Sequence, residues 1–190
     1  MPHAELLTPL PAAIRTRSSQ PVTPSVAALV AEIGGACDGA PEAMKDRVIA
    51  ALLAAVTQAG LLTDEQRLPQ SGCYARHLLH SDPAGRFTIV AIVWDGGQFS
   101  PPHAHHTWCA YAVHENALHE TLYAWDGANG TAQPAQVEVR SPGYGCFAHS
   151  GLDQIHRLGN SGSRPAISIH VYGVERERVA THVNRVVQVD

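Results

Sequence analysis

Beyond Leu68 the chain is a succession of short runs rich in β-branched and aromatic residues, separated by Gly, Pro, Asn and Asp: YARHLLH, RFTIVAIVW, HAHHTWCAYAV, ALHETLYAW, AQVEVR, GYGCFAH, QIHRLGN and AISIHVYGV. Such residues suit a pleated, half-buried surface, and the punctuation between them supplies turns. No helical pattern intervenes, so this part is expected to be an all-β sandwich or barrel. Ahead of it, SVAALVAEI and PEAMKDRVIAALLAAVTQAG carry the helical period: Pro41 suits a first turn, Val48, Leu52, Val56 and Ala59 share a face, and Gly60 marks a stop. The expected organisation is one domain over 1–190, with an arm at 1–24, a helical lobe at 25–66 and a mainly β, double-sheet jelly roll at 67–190.

Bulk properties narrow the function. A formal charge of -4 without any Lys/Arg-rich run lacks the signature of a phosphate-neutralising surface, which argues against nucleic acid as a partner. No apolar stretch has the length of a membrane span, and prolines break the N-terminal segment before an apolar leader forms, so no membrane partner and a cytoplasmic location are expected. Cys37, Cys73, Cys109 and Cys146 are scattered through a chain that needs no staples and are read as reduced thiols. No GxGxxG or GxxxxGKS loop is present to cradle a nucleotide. Histidine stands out, with 12 in the chain, and directs attention to metal chemistry.

The densest group is HAHHTWCAY. On a strand, side chains alternate, so His103 and His105 share one face with Thr107, Cys109 and Tyr111, while Ala104, His106, Trp108 and Ala110 share the other. Two imidazoles two residues apart can reach one ion. Gly97, five residues and then H-x-H, followed later by Gly145 and IHRLGN, resembles the paired motifs of the cupin family, metal-binding jelly rolls. That resemblance implies a centre of His103, His105 and His156. Cys109 stands where the family's acidic ligand usually falls, and Gly151 and Asp153 replace a proline and a glycine of the second motif. Three neutral imidazoles leave a divalent ion's charge uncompensated, which favours an anionic ligand such as a thiolate. Zinc with water is the competing reading of the same ligands. His106 falls on the opposite face and is expected either at the surface or behind the ligands as their support.

SIHVY places Ser168, His170 and Tyr172 on one face, either as a hydrogen-bonded row or as the polar outer side of an amphipathic strand; Tyr74 and Arg76 pair in the same way in YARHLL. Together, YARHLL, a tryptophan (Trp94) nine residues before HxH, IHRLGN and SIHVY resemble the cysteine dioxygenase family of thiol dioxygenases over roughly 74–173. The resemblance implies Fe(II) held by His103, His105 and His156, with Arg76 on the substrate carboxylate and Tyr74 lining the pocket. It also implies Tyr172 beside the thiol and dioxygen, held by His170 and Ser168. In some members a cysteine at the place of Cys109 is joined through sulfur to the tyrosine matching Tyr172; both are present here, although the interval from His105 is one residue shorter than in the animal enzymes.

The implied reaction adds both atoms of O2 to the sulfur of a small carboxylated thiol, giving a sulfinate, with all four electrons supplied by the substrate. Arginine at position 76 leans toward L-cysteine, since members acting on 3-mercaptopropionate commonly carry glutamine there; mercaptosuccinate is a further alternative. A zinc hydrolase or isomerase would keep the histidines without needing the Ser168, His170, Tyr172 row. A non-catalytic metal-binding sensor would need neither that row nor Arg76.

Overall fold

The computed structural model describes residues 14–15 and 22–190, so the arm expected at 1–24 lies almost wholly outside the described residues. Helix α1 (Pro24–Cys37) opens with Pro24 in the first turn and is capped by Thr23, whose hydroxyl accepts from Val26 N and donates to Leu61 O. Helix α2 (Pro41–Val56) ends at Thr57, short of the stop expected at Gly60. The early end lets the chain turn Leu61 and Leu62 into the core, where both are buried.

Among the described residues, eleven strands follow the chain order β1 (Ile14–Arg15), β2 (Ala75–Ser81), β3 (Thr88–Trp94), β4 (His103–His105), β5 (Cys109–Glu115), β6 (Leu118–Asp126), β7 (Thr131–Arg140), β8 (Gly145–Ala148), β9 (Gly151–Gly159), β10 (Ala166–Tyr172) and β11 (Asn184–Val186). They form two facing sheets, ordered β1-β2-β3-β10-β5-β8 and β11-β4-β9-β6-β7, antiparallel except where β1 meets β2. The fold is a cupin-type double-stranded β-helix carrying two N-terminal helices.

The six-stranded sheet is buried on both faces. Its outer face, with Ile89, Ala91, Val93, Ile167 and Ile169, packs under Leu29, Ile33, Val48 and Leu52 of the helices; its inner face, with Val90, Ile92, Trp94, Cys109, Tyr111 and Tyr172, fills the space between the sheets. This double burial explains why β3 reads as the unbroken apolar run TIVAIVW.

The histidine segment expected as one strand is two. β4 lies in one sheet and β5 in the other, and the chain turns a corner at His106–Trp108. Thr107 Oγ1 donates to Gly173 O at 2.8 Å, and Gly173 N donates to Trp108 O at 3.0 Å, fastening the corner to the end of β10. A Cβ at Gly173 would sit 2.2 Å from Trp108 Nε1, so only glycine lets the indole close over this point. The alternation survives the corner: Cys109 and Tyr111 face inward, whereas Trp108, Ala110 and Ala112 face the helices.

Candidate metal centre

His103 and His105 come from β4, and the antiparallel neighbour β9 places His156 directly opposite His103. The ligand atoms of the three imidazoles lie within 4.8 Å of one another, and all three residues are buried. Behind the cluster, His103 Nδ1 is 2.9 Å from Pro101 O and His156 Nδ1 is 2.6 Å from Glu120 Oε1. Carbonyl and carboxylate oxygens accept, so each Nδ1 carries the proton and each Nε2 keeps a free lone pair toward the cluster. His105 Nδ1 is buried without a partner. Three converging neutral imidazoles fit a divalent first-row ion.

Electrostatics keep His103 and His105 neutral. Burial, reinforced by His156 and His105, holds His103 well below the ordinary imidazole range, and burial with His156 brings His105 down to about 3. His170 is likewise held far below, by burial first and then by His156. Each depressed imidazole makes the metal-free fold lose stability as pH falls below the unfolded value of about 6.5, because the unfolded chain takes up protons that the native state refuses. Above that value the contribution is complete and flat. Urea midpoints of the metal-free protein are therefore expected to fall steadily from pH 7 to pH 5; equal midpoints at the two pH values would contradict the burial of these rings as neutral groups.

The same cavity is lined by Tyr74, Arg76, Trp94, Cys109, His170 and Tyr172. Arg76 is 2 % exposed, donates from Nη2 to the Tyr74 phenol at 3.3 Å, and among the described residues leaves Nε and Nη1 without a partner. A buried guanidinium with idle donors is the complement of an absent anion. An exposed arginine, the ordinary reading of an isolated arginine on a strand, is excluded.

The polar row of β10 points inward, opposite to the outer face of an ordinary amphipathic strand. Ser168 lies 2.8 Å from His170 Nε2 and accepts the Trp94 indole N–H at 2.9 Å. The hydrogen-bonded row is thus Trp94, Ser168 and His170. Tyr172 stands beside it in ring contact, with centroids 5.7 Å apart, and among the described residues no hydrogen bond joins its phenol to His170. Burial, with Cys109 nearby, pushes the Tyr172 phenol well above its usual range while Arg76 acts against it. Cys109 is the direct antiparallel partner of Tyr172, and its buried thiol is also pushed up.

Three features of the centre were not read from the sequence. Glu120 on β6 is 2 % exposed and binds both His156 and Arg140, whose Nε lies 2.7 Å from Oε2. The available signal was its inward position between Leu118 and Leu122 in ALHETLYAW. Asn184 of β11, paired with His105, reaches the cavity from the C-terminal segment. Trp94 was expected as core and is core, yet it also anchors Ser168. Conversely, Asn160 of IHRLGN lies away from the centre: its amide donates to Trp94 O and Arg164 O and fixes a loop. His106 is exposed, as its alternation requires.

The family model described as cysteine dioxygenase type I matches residues 66–182. Among solved structures, the chain is similar to an uncharacterised conserved protein with a double-stranded β-helix domain from Klebsiella pneumoniae, at 20% identity over 63% of this chain and 88% of that one, TM-score 0.47. It is also similar to a protein of Thermus thermophilus, at 18% identity over 60% of this chain and 96% of that one, TM-score 0.45. A polyketide cyclase of Streptomyces resistomycificus matches at 21% identity over 62% of this chain and 74% of that one, TM-score 0.44.

Proposed function

Because the chain belongs to the cysteine dioxygenase type I family, we propose that it is an Fe(II)-dependent thiol dioxygenase acting on a small thiol that bears one carboxylate, with L-cysteine the best match. The observation that carries this reading is the meeting, in one cavity, of three converging imidazoles with a buried guanidinium whose Nε and Nη1 have no partner among the described residues. Bound by His103, His105 and His156, Fe(II) would supply the redox chemistry that lets dioxygen react with a thiolate; the overall change is thiol plus O2 to sulfinate plus a proton.

The protein's own groups then have defined tasks. Arg76 receives the carboxylate at a nitrogen left idle, and Tyr74 holds Nη2 in place. This directs the other end of the substrate toward the histidines. Tyr172, kept protonated by burial, donates a hydrogen bond to oxygen or sulfur without losing its proton at neutral pH. His170, held neutral and fixed through Ser168 to Trp94, sets the wall against which the phenol packs. The nearly complete burial of all these side chains excludes water and strengthens each polar contact.

Among the described residues Arg76 is the single Lys/Arg side chain lining the cavity. A second substrate carboxylate would have no guanidinium or ammonium of its own there, so kcat/KM for mercaptosuccinate is expected below that for cysteine. Parallel oxygen-uptake assays with cysteine, 3-mercaptopropionate and mercaptosuccinate test this, and equal or faster turnover of the dicarboxylate would overturn the assignment. The direct pairing of Cys109 with Tyr172 further supports a thioether between the cysteine sulfur and the tyrosine ring, formed with O2 as the two-electron oxidant and loss of the thiol and ring hydrogens. Peptide mass analysis after turnover should find the two segments joined and lighter by two hydrogens; only unlinked peptides would remove the crosslink from the account. A cytoplasmic location suits the four unpaired cysteines.

A further inference from the structure

The cupin pattern loses its acidic ligand here, because Cys109 occupies that place on the inner face of β5. The structure restores a carboxylate from a different strand. Glu120 sits on β6, one strand beyond β9, and its neighbour across the ladder is Leu158, two residues from His156. Its Oε1 receives the His156 Nδ1 proton at 2.6 Å, and its Oε2 receives Arg140 Nε at 2.7 Å. Arg140 is in turn stacked on Tyr144, 4.3 Å from the ring centroid, so the arm that holds the carboxylate is itself held. The four side chains form one connected line from the turn before β8 to the centre: Tyr144, Arg140, Glu120, His156.

Resting on the metal-centre reading above, we infer that Glu120 is a positioning residue that fixes the tautomer and ring orientation of His156 and lends negative charge to the centre. A carboxylate behind a ligating imidazole makes that ring a stronger donor, and such outer partners set metal affinity by about 10- to 100-fold. Here the effect has an added reason. Imidazole ligands bring no negative charge of their own, and Glu120 is the carboxylate hydrogen-bonded to one of them, reaching a bound cation through His156 rather than by direct contact. Arg140 tempers that charge and orients the carboxylate. The cavity of about 340 Å³ lined by Glu120, Arg140, Tyr144 and Cys146 lies on this side of His105 and His156, and Glu120, Arg140 and Tyr144 do not line the substrate pocket.

The test compares metal affinity, without turnover, for the full chain and for Glu120→Gln and Arg140→Gln. Fe(II) under anaerobic conditions and Co(II) are each titrated against a chromophoric chelator, and the Co(II) ligand-field spectrum and the unfolding temperature of the metal-free proteins are recorded beside them. Glutamine keeps the size and an acceptor oxygen but removes the charge. Glu120→Gln is expected to weaken both metals by about 10- to 100-fold and to shift the Co(II) spectrum, while Arg140→Gln holds affinity within about threefold or tightens it. Equal losses in the two variants that track a lowered unfolding temperature would reduce the pair to a structural brace and overturn the inference. So would unchanged affinity in Glu120→Gln. Should the unaltered chain bind neither metal, the metal-centre reading itself falls, and this inference with it.

Discussion

His103→Ala is expected to bring thiol-dependent oxygen uptake down to background and to leave the protein without tightly bound iron. The loss should exceed the roughly 10- to 100-fold typical of residues that act on a metal through another side chain, because one of three ligands is gone. His103 packs against both other ligands, 5.2 Å from His105 and 4.7 Å from His156 between centroids. Burial holds this ring uncharged, so its removal strands no buried charge and the metal-free fold should survive the change. Anaerobic iron loading, oxygen-electrode rates and circular dichroism on one sample separate the outcomes. Native-like circular dichroism with no iron and no activity is the predicted pattern. Retained iron with retained turnover would remove His103 from the centre, and a collapsed fold would make it a core residue.

Arg76 carries the second large effect, and its signs oppose one another. Arg76→Met should raise KM for carboxylated thiols by about 30-fold to a few thousand-fold, the equivalent of the 2 to 5 kcal/mol lost when one member of a buried charge pair is removed. The same substitution should stabilise the substrate-free protein. Two buried donors, Nε and Nη1, lack partners in the free state, and each such group costs about 1–3 kcal/mol. A methionine fills similar space without that cost. Steady-state kinetics and a urea titration on the one variant check both signs together; a lowered urea midpoint with unchanged KM would make Arg76 a structural arginine.

How much of this was legible in the sequence can be judged residue by residue. That His103 and His105 share a face followed from strand alternation alone, and so did the common face of Ser168, His170 and Tyr172, once β10 was recognised as a strand. Alternation could not say which face was inside. That depended on the helices α1 and α2 covering the outer side of β3, β5 and β10, a tertiary fact. The corner at His106–Trp108 was hidden because HAHHTWCAYAV contains no Gly or Pro at the bend; the partner that makes the bend possible, Gly173, is distant in sequence. Glu120 escaped for a related reason. A glutamate between two inward leucines signals burial, but its meaning appears only when β6 is laid beside β9 and the carboxylate meets His156. Arg76 shows the converse: its motif marked it, and the structure supplied the physical reason, a guanidinium buried with nothing to bind.

The account turns on a reaction at the three-histidine centre, and one measurement addresses it most directly. The full chain is loaded with Fe(II) anaerobically, exposed to L-cysteine and O2, and followed by oxygen electrode and product mass spectrometry. The account predicts one O2 consumed per thiol and a product heavier than cysteine by the two added oxygen atoms, with both labelled atoms retained when 18O2 is used. Absence of uptake with cysteine, 3-mercaptopropionate and mercaptosuccinate alike, from protein shown to hold iron, would contradict it and return the centre to the zinc or sensor readings.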